Sequence, residues 1–394
     1  MEREPVTKKK VAVIGVGGGA GRILTAWESL DEPGDLVKLA CNTDQRALEM
    51  VQCPHRMLMG MARTNGLGAG GDLLLGRSAA EDEAESLRKM MQDAVLVVVV
   101  ATLGGGTGGG AGPVLIQMAR EAGAMTLAVL TLPFAFEGAR RQQQADTALQ
   151  AFREAGGAII VMPNELLADW VSGDNGNVEE SFLRVDALLA RCLAGIARLL
   201  TCPGYLNLDF ADLVRVLRYG SEPGLIGYGE SSEANRVEVS VGQLLSNPIL
   251  DQAGALQKAT ALLISIAGGE DLTLKEVDHI MKAVGGRIPE ACEVFVGTAI
   301  HSRWNGRLCL TAVLATDRCV AFKPEEPVAP PGLGGAPMQE KPRTRRPRTG
   351  KQADLPLDQV ADRGKFSPAE PTWGLNGENL DVPTYQRRSI VIDH

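Results

Sequence analysis

The stretch Gly104-Gly105-Gly106-Thr107-Gly108-Gly109-Gly110 stands directly behind an apolar run, and it limits the possible fold more than any other part of the chain. The run, residues 94–101 (AVLVVVVA), is β-branched and too short to cross a membrane, so it reads as a strand buried on both faces. Beyond the loop, Pro113 suits the first turn of a helix that continues through Met118 and Arg120. Strand, glycine loop and helix in that order aim backbone N–H groups and a helix N-terminus at an anion. The glycines leave no Cβ between the backbone and phosphate oxygens. A flexible hinge is the plainer alternative, but a hinge has no need of a buried strand on one side and a helix start on the other. The segment is expected to be a phosphate cradle.

A second glycine loop, Gly15-Val16-Gly17-Gly18-Gly19-Ala20-Gly21, follows the short apolar run 11–14. Alone it satisfies the dinucleotide pattern G-x-G-x-x-G/A, a weak signal that also expects an acidic residue after the next strand to hold a ribose. The run 36–41 leads into Asn42-Thr43-Asp44, so Asp44 could serve, and a nicotinamide oxidoreductase stays open on these residues. Yet such a fold has no use for a second, longer glycine loop, and no evident His or Lys constellation for hydride transfer stands in the chain. Two cradles on one sheet suit one nucleotide with a full triphosphate. No G-x-x-x-x-G-K-[ST] occurs, which argues against an ordinary P-loop NTPase.

Composition narrows the class. The 394 residues have room for two folded domains and a tail, and 40 Lys and Arg against 48 Asp and Glu give no general case for nucleic-acid binding. The seven cysteines are scattered without a C-x-x-C pair, which favours reduced thiols over disulfides or zinc, so no protein-built metal cluster is expected. Residues 1–10 are polar and charged with no apolar signal core, and no segment approaches a membrane span. An intracellular protein is expected.

Residues 11–165 alternate helical stretches with apolar runs at 11–14, 36–41, 56–59, 94–101, 125–132 and 158–162. This predicts a mostly parallel sheet covered by helices on both faces, with the glycine loops outside the carboxyl ends of the strands. Between 179 and 200, Phe182, Val185, Leu188, Leu189, Leu193, Ile196, Leu199 and Leu200 fall at helical spacing and predict one long, largely buried helix. A smaller α/β unit is expected over 222–322, with strands near 236–241, 260–267, 292–299 and 308–316. Residues 321–380 hold ten of the 21 prolines and almost no apolar periodicity, as a disordered linker would. Inside it, 341–351 carries six basic residues and no acid, which suits a solvated tail or contact with anionic lipid or an acidic partner. From Leu380 the chain regains apolar and aromatic character, as a docking peptide beyond a tether does.

These motifs resemble those of the FtsZ family, the bacterial relatives of tubulin, over residues 11–388. GGGTGGG at 104–110 is one residue from the family's GGGTGTG, and Asn42-Thr43-Asp44 is its NTD. Thr64-Asn65-Gly66-Leu67-Gly68-Ala69-Gly70 is similar to its third phosphate-side loop. PFAFEGARR at 133–141 follows PFNFEGKKR, NLDFAD at 207–212 follows NVDFAD, and LDVPTYQRR at 380–388 is close to LDIPAFLRR. No single motif is decisive, but six in the right order are very specific.

The resemblance implies a tubulin/FtsZ-like α/β fold: a Rossmann-like, parallel-sheet GTPase domain joined by a long central helix to a smaller α/β domain, with a disordered C-terminal tail. It divides the chain into an N-terminal tail (1–10), a nucleotide-binding domain (11–178), a central helix with its catalytic loop (179–221), an α/β domain (222–322), a linker (323–379) and a docking peptide (380–394). It implies a cytoplasmic cell-division GTPase that polymerises head to tail into the ring at the division site. GTP would be hydrolysed to GDP and phosphate, with Mg2+, at a site shared between subunits. Gly18, Gly19, Gly21, Asn42, Asp44, Gly104, Gly105, Gly106, Thr107, Gly108 and Gly110 would hold the nucleotide. Asn207, Asp209 and Asp212 of the next subunit would complete the site, the carboxylates polarising the attacking water and helping to hold the cation. Phosphoryl transfer through a loose transition state needs such positioning and charge stabilisation more than covalent help. Away from a phosphate the same carboxylates read as a helix start, Asp209 at the N-cap and Asp212 at the third position. The two roles are compatible.

Glu137 and Arg141 stand four apart, where they also make a helix-surface ion pair worth a few tenths of a kcal/mol; in the family the equivalent positions reach ribose and phosphates. Phe182 and Asp186, also four apart, match a Phe and an Asp that stack on and hydrogen-bond guanine. A carboxylate accepts both the N1 and N2 protons, which adenine does not present. As a plain helix residue, Phe182 is core. The terminal peptide would bind membrane-linked division proteins such as FtsA, with Leu380, Val382, Pro383 and Tyr385 as anchors and Arg387 and Arg388 as charge contacts.

Two departures qualify the match. The family's second signature Thr is Gly109 here, which removes a hydroxyl expected near the phosphates and predicts slower hydrolysis, with Gly109→Thr as the test. The segment Arg22-Ile23-Leu24-Thr25-Ala26-Trp27 lacks the family's N-A-V-N-R, and an Asn that helps read guanine is Thr25, so guanine selectivity is expected to be less secure than nucleotide binding. Both favour the alternative of a non-hydrolysing or weakly hydrolysing nucleotide-binding filament or regulatory homologue. Asp209 and Asp212 oppose it.

Overall fold

The apolar runs of the first half become six parallel strands: β1 (Lys10–Val16), β2 (Leu36–Asn42), β3 (His55–Leu58), β4 (Ala94–Thr102), β5 (Met125–Leu132) and β6 (Ala158–Pro163), in the order β3-β2-β1-β4-β5-β6. The computed structural model describes residues 10–30, 36–167, 177–202 and 204–317, all within one compact unit, Met1–Pro327. The N-terminal tail up to residue 9, the linker, its basic run and the docking peptide lie outside the described residues.

Alternation along the strands builds a layer on each face. Val11, Val13, Val98 and Val100 pack with Ile23, Leu24 and Trp27 of α1 (Gly18–Glu28), while Ala12, Ile14, Val97 and Val99 join the opposite cluster. That second cluster contains Ala79 and Ala80 of α2 (Leu73–Asp82), Leu115 and Ile116 of α3 (Gly106–Glu121), and Phe152 of α4 (Ala139–Ala155). The chain winds outward from β1 in one direction and from β4 in the other. The carboxyl ends of these two neighbours therefore form a topological switch point, where such sheets bind ligands.

α3 begins at Gly106, so Pro113 lies inside the helix rather than in its first turn. Glycine is a poor helix former, and local propensity alone leaves 106–110 in the loop. Packing overrides it. A Cβ at Gly106 or Gly110 would collide with the backbone of Asp72 or Leu73, and one at Gly76 with the backbone of Gly106, so α2 and α3 touch backbone to backbone.

The predicted long helix is α5 (Val178–Thr201), with Asn177 accepting from the Glu180 N–H at 2.8 Å as its N-cap and Val185, Leu188, Leu189, Leu193 and Ile196 buried. After a loop comes α6 (Phe210–Tyr219). Phe210, Ala211, Val214 and Arg215 share a cleft with Met125 and Ala158, so α6 sits at the amino ends of β5 and β6, the edge of the sheet opposite the glycine loops.

The second sheet contains β7 (Leu225–Ser231), β8 (Ala259–Gly268), β9 (Glu293–Ile300) and β10 (Leu308–Thr316) in the order β7-β10-β8-β9. The strand expected at 236–241 is instead helix α7 (Arg236–Leu245). Val237, Val239 and Val241 alternate with polar residues, but the buried positions are Val237, Ser240, Val241 and Leu244, a helical period. Strand β7 is not among the strands expected, since its Gly227 and Gly229 read as turn residues. Their missing side chains make room for Leu250 and for the Ser240 carbonyl.

Candidate functional site

A cleft of about 250 Å³ opens at the carboxyl ends of β1 and β4. Gly17 and Gly18, Asn42 and Asp44, the loop 67–71, Thr102, and Gly105 to Gly108 surround it. Helices α1 and α3 both start there, with Gly17 and Gly105 as N-caps that offer no side chain to the first-turn N–H groups. By contrast, Asp72 and Asp209 cap α2 and α6. The two glycine starts thus present free donors and the positive ends of two helix dipoles to one cleft, as an anion requires.

The glycines divide by task. A Cβ at Gly105 would meet open space and one at Gly18 only Asn42 Nδ2 at 4.0 Å, so their backbone is free to meet a ligand. Gly17 holds a left-handed φ of 89°, turning the chain into α1 beside Gly108. Gly19, Gly21, Gly106, Gly108 and Gly110 face protein instead, each with a close neighbour where a Cβ would be, and Gly104 abuts Arg141. Of these, Gly106 and Gly108 line the cleft through their backbone; Gly19, Gly21, Gly104 and Gly110 do not.

Asn42-Thr43-Asp44 ties the parts together. The buried Asn42 accepts at Oδ1 from the N–H groups of Thr43 (2.9 Å) and Asp44 (3.3 Å). The Thr43 hydroxyl shares a 2.7 Å hydrogen bond with the Thr107 hydroxyl, joining β2 to the cradle. The Thr43 carbonyl accepts from Gly68 N–H at 3.1 Å and from the Thr64 hydroxyl at 3.3 Å, which fixes the third loop. Asp44 also accepts from Ala47 N–H at 2.9 Å. Residues 67–71 line the cleft, in keeping with the likeness of residues 64–70 to a phosphate-side loop, and Gly66, Gly68 and Gly70 all hold left-handed φ.

Beside the cleft, Phe182 of α5 meets Phe134 edge-on at 5.2 Å, and Phe134 stacks on Phe136 at 4.9 Å. Glu137 pairs with Arg141 and accepts from Phe134 N–H at 2.9 Å, which sets the turn before α4. Asp186 is buried, and Arg22 of α1 donates from Nε to its Oδ2 at 2.8 Å. Burial pushes the Asp186 carboxyl above the ordinary aspartate range, and the Arg22 guanidinium pulls it partway back. Arg22 is thus the residue of α1 that meets Asp186. The Thr25 hydroxyl donates to the Gly21 carbonyl and accepts from Gln52 N–H, both at 3.0 Å. Position 109 also corrects the expectation placed on it. A side chain there would point at Leu73 Cδ2 and Ala148 Cβ, 2.7 and 2.8 Å from its Cβ, so a hydroxyl would face the α2–α4 packing rather than phosphates.

The carboxylates stand elsewhere. Asp209 accepts from Asp212 N–H and Asp212 from Asp209 N–H, both at 3.0 Å, a reciprocal capping box at the start of α6. Each carboxylate keeps a second oxygen. Asn207 accepts from Gly204 N–H at 3.3 Å, and Leu206 exchanges bonds with Thr298 of β9 at 2.8 and 3.0 Å, so the loop is anchored. Tyr205 beside it is 90% exposed. None of Asn207, Asp209 and Asp212 lines the glycine cleft.

Among the described residues no group of three His, Cys, Asp or Glu could hold a metal, and no helix is long and apolar enough to cross a membrane. A magnesium ion does not need such a cage. It takes oxygen ligands, one or two from protein and the rest from phosphate and water. The Thr107 hydroxyl and Asp44 carboxylate at the cleft are donors of that kind.

The chain matches the GTPase domain of the Tubulin/FtsZ family over residues 10–172 and the C-terminal domain of the FtsZ family over residues 223–317. Among curated proteins it is 32% identical over 385 residues to the cell division protein FtsZ of Pseudomonas aeruginosa, covering 96% of each chain. It is 36% identical over 294 residues to cell division protein FtsZ 1 of Archaeoglobus fulgidus, covering 74% of this chain and 78% of that one. Among solved structures, an empty FtsZ dimer from M. jannaschii superposes with a TM-score of 0.70 at 33% identity, covering 78% of this chain and 88% of the other. The fold is shared as well by CetZ2 from Haloferax volcanii, at 24% identity and a TM-score of 0.62 over 78% of this chain and 94% of that one. On the strength of both domains and of near full-length relatives, this chain belongs to the FtsZ family of polymerising cell-division GTPases.

Proposed function

We propose that this GTPase holds GTP in the glycine cleft of one subunit and hydrolyses it when the Asn207–Asp212 loop of the next subunit closes over the γ-phosphate. The observation that carries this reading is the separation of parts. The anion cradle is at the carboxyl edge of a parallel sheet, and the carboxylate loop is beside α6 at the amino edge. One subunit cannot bring them together, but subunits stacked in the same direction can.

In that arrangement the N–H groups at the starts of α1 and α3 bind phosphate oxygens, while Thr107, held by Thr43, and Asp44 would offer oxygen ligands to a magnesium ion. The ion would supply charge neutralisation on the phosphates. Asp209 and Asp212 would orient and polarise the attacking water with the oxygens their capping bonds leave free. Phe182 and Asp186 would form the base subsite, and Glu137 and Arg141 the ribose and phosphate rim. Of the two departures that favoured a filament without hydrolysis, Gly109 loses its weight with the position turned inward, and the altered segment after the first glycine loop is left. Residues 380–394 would tether the polymer to membrane-linked division proteins such as FtsA at the cytoplasmic division site, a reading that rests on LDVPTYQRR alone.

GTP turnover measured against protein concentration, with sedimentation of the same samples, tests the shared site. Turnover per subunit should appear only above a threshold and together with pelleting. Turnover per subunit independent of concentration would place the whole site in one chain and leave Asp209 and Asp212 as helix caps.

A further inference from the structure

We propose that the cleft between α6 and the amino ends of β5 and β6 is a docking groove for an acidic, extended segment of a partner protein, held by arginines at the rim and by an apolar side chain on the floor. The cleft measures about 940 Å³. Met125, Ala158, Phe210, Val214 and Leu217 line it, together with four exposed arginines, Arg120, Arg153, Arg215 and Arg218. Against these four guanidinium groups the lining holds one carboxylate, Glu222.

Part of this charge has an ordinary explanation. Helices α3, α4 and α6 all end at the cleft, and Arg120, Arg153 and Arg218 stand in their last turns, where a cation suits the negative end of a helix dipole. Roughly half a charge at each helix end falls short of balancing the positive charge in excess. Arg215 lies outside the last turn of α6, so the dipole does not account for it. The donors are also largely unused. Arg120 gives one terminal nitrogen to the Ala155 carbonyl, and Arg153 gives one to Glu222 at 3.2 Å. Arg215 gives one to the Tyr219 hydroxyl and Glu293, at 3.3 and 3.4 Å. Arg218 makes no hydrogen bond or ion pair among the described residues.

Beside these arginines, Met125 and Tyr219 stay 38% and 37% exposed, unusual for large apolar side chains with no partner to cover them. Arginine, tyrosine, phenylalanine and methionine line the cleft, and among the described residues no lysine does. That is the composition of protein interfaces rather than of ordinary surface, and an apolar patch with a polar rim marks a contact for another protein. An extended acidic segment suits arginines spread over three helices better than a compact anion, which one or two guanidinium forks would saturate. One phenylalanine or leucine within it would cover the floor. The groove follows α6 from Phe210 to Tyr219, yet none of Asn207, Asp209 and Asp212 lines it, so its occupant would lie beside the carboxylate loop and leave it free.

Fluorescence anisotropy on the full-length, GDP-loaded protein tests this with three labelled peptides: acidic DEFDELDE, its alanine version DEADEADE, and basic KKFKKLKK. The wild type should bind the first about tenfold tighter than the second, and the third not at all. Arg218→Glu and Met125→Asp should each weaken DEFDELDE by about tenfold, whereas Arg63→Glu, at an exposed arginine outside the cleft, should change it by less than about twofold. Arg218→Gln, which puts no negative charge at the end of α6, should still weaken it by about fivefold. No binding of DEFDELDE, binding of all three peptides alike, or equal losses in Arg63→Glu and Arg218→Glu would overturn the proposal. Assembly with a non-hydrolysable GTP analogue then identifies the occupant. Peptide that sediments with the filaments supports a separate partner; peptide expelled as filaments form would give the groove to a second copy of this chain and overturn that assignment.

Discussion

The two ends of the first sheet are built on opposite principles. At the carboxyl edge, the cradle is made of backbone: glycine N-caps, bare helix starts and hydroxyls tied to each other, closely packed against α2. At the amino edge, the Asn207–Asp212 loop presents side chains on an exposed turn next to Tyr205. A backbone cradle fixes an anion with little freedom to vary, whereas an exposed carboxylate pair has work to do only when something docks on it. The difference teaches that binding and chemistry can be uncoupled by mutation, because they reside at different edges.

The sharpest way to break that comparison is at Asp212. Asp212→Ala should leave GTP binding within about twofold and lower polymer-stimulated turnover by about 100-fold or more, read by phosphate release at saturating GTP. Asp209→Asn refines it, since Asn is as good an N-cap as Asp. Turnover should fall as the charge is lost while the melting temperature stays near wild type; a fall in both would make capping the whole story.

The glycines provide the next contrast. Gly110→Ala drives a Cβ into the Leu73 carbonyl and should destabilise the fold by about 2–3 kcal/mol in denaturant titration. Gly105→Ala meets open space and should leave stability almost unchanged while weakening GTP binding by about tenfold, because the new methyl faces the cleft. Gly109→Thr should cost about 1–2 kcal/mol of stability and leave the turnover per polymerised subunit unchanged. A faster enzyme would restore the role first expected of that position.

The smallest effect expected concerns pH. Removing Arg22 takes away the influence that lowers the Asp186 carboxyl, so its folded value rises further above that of the unfolded chain. Arg22→Ala should then lie closest to wild type below about pH 4, and fall behind by about 1 kcal/mol as pH rises through the folded value. Melting at pH 4 and pH 7 measures it.

Periodicity and motif order made the first sheet, the long helix and the glycine cleft legible before any coordinates, because apolar alternation and turn chemistry are local signals. What stayed hidden depends on tertiary contact. Gly106 to Gly110 look like loop until their packing against α2 is known. Val237 to Val241 look like a strand until Leu244 joins the buried face. Gly227 and Gly229 look like turns until Leu250 and Ser240 occupy their missing side chains. In the site, Asp186 was legible but its partner was not. Arg22 and Asp186 are far apart in sequence, and only the packing of α1 against α5 pairs them.

The central claim, that one subunit's carboxylates act on its neighbour's nucleotide, is tested most directly by loading Asp212→Ala protein with γ-labelled GTP and removing free nucleotide. It is then mixed with excess wild type and unlabelled GTP. The account predicts release of labelled phosphate as the two copolymerise, since wild-type neighbours supply Asp212 to the label-bearing cradle. Label that stays intact on the variant, while wild type in the same filaments turns over, would contradict it and place the active site within a single chain.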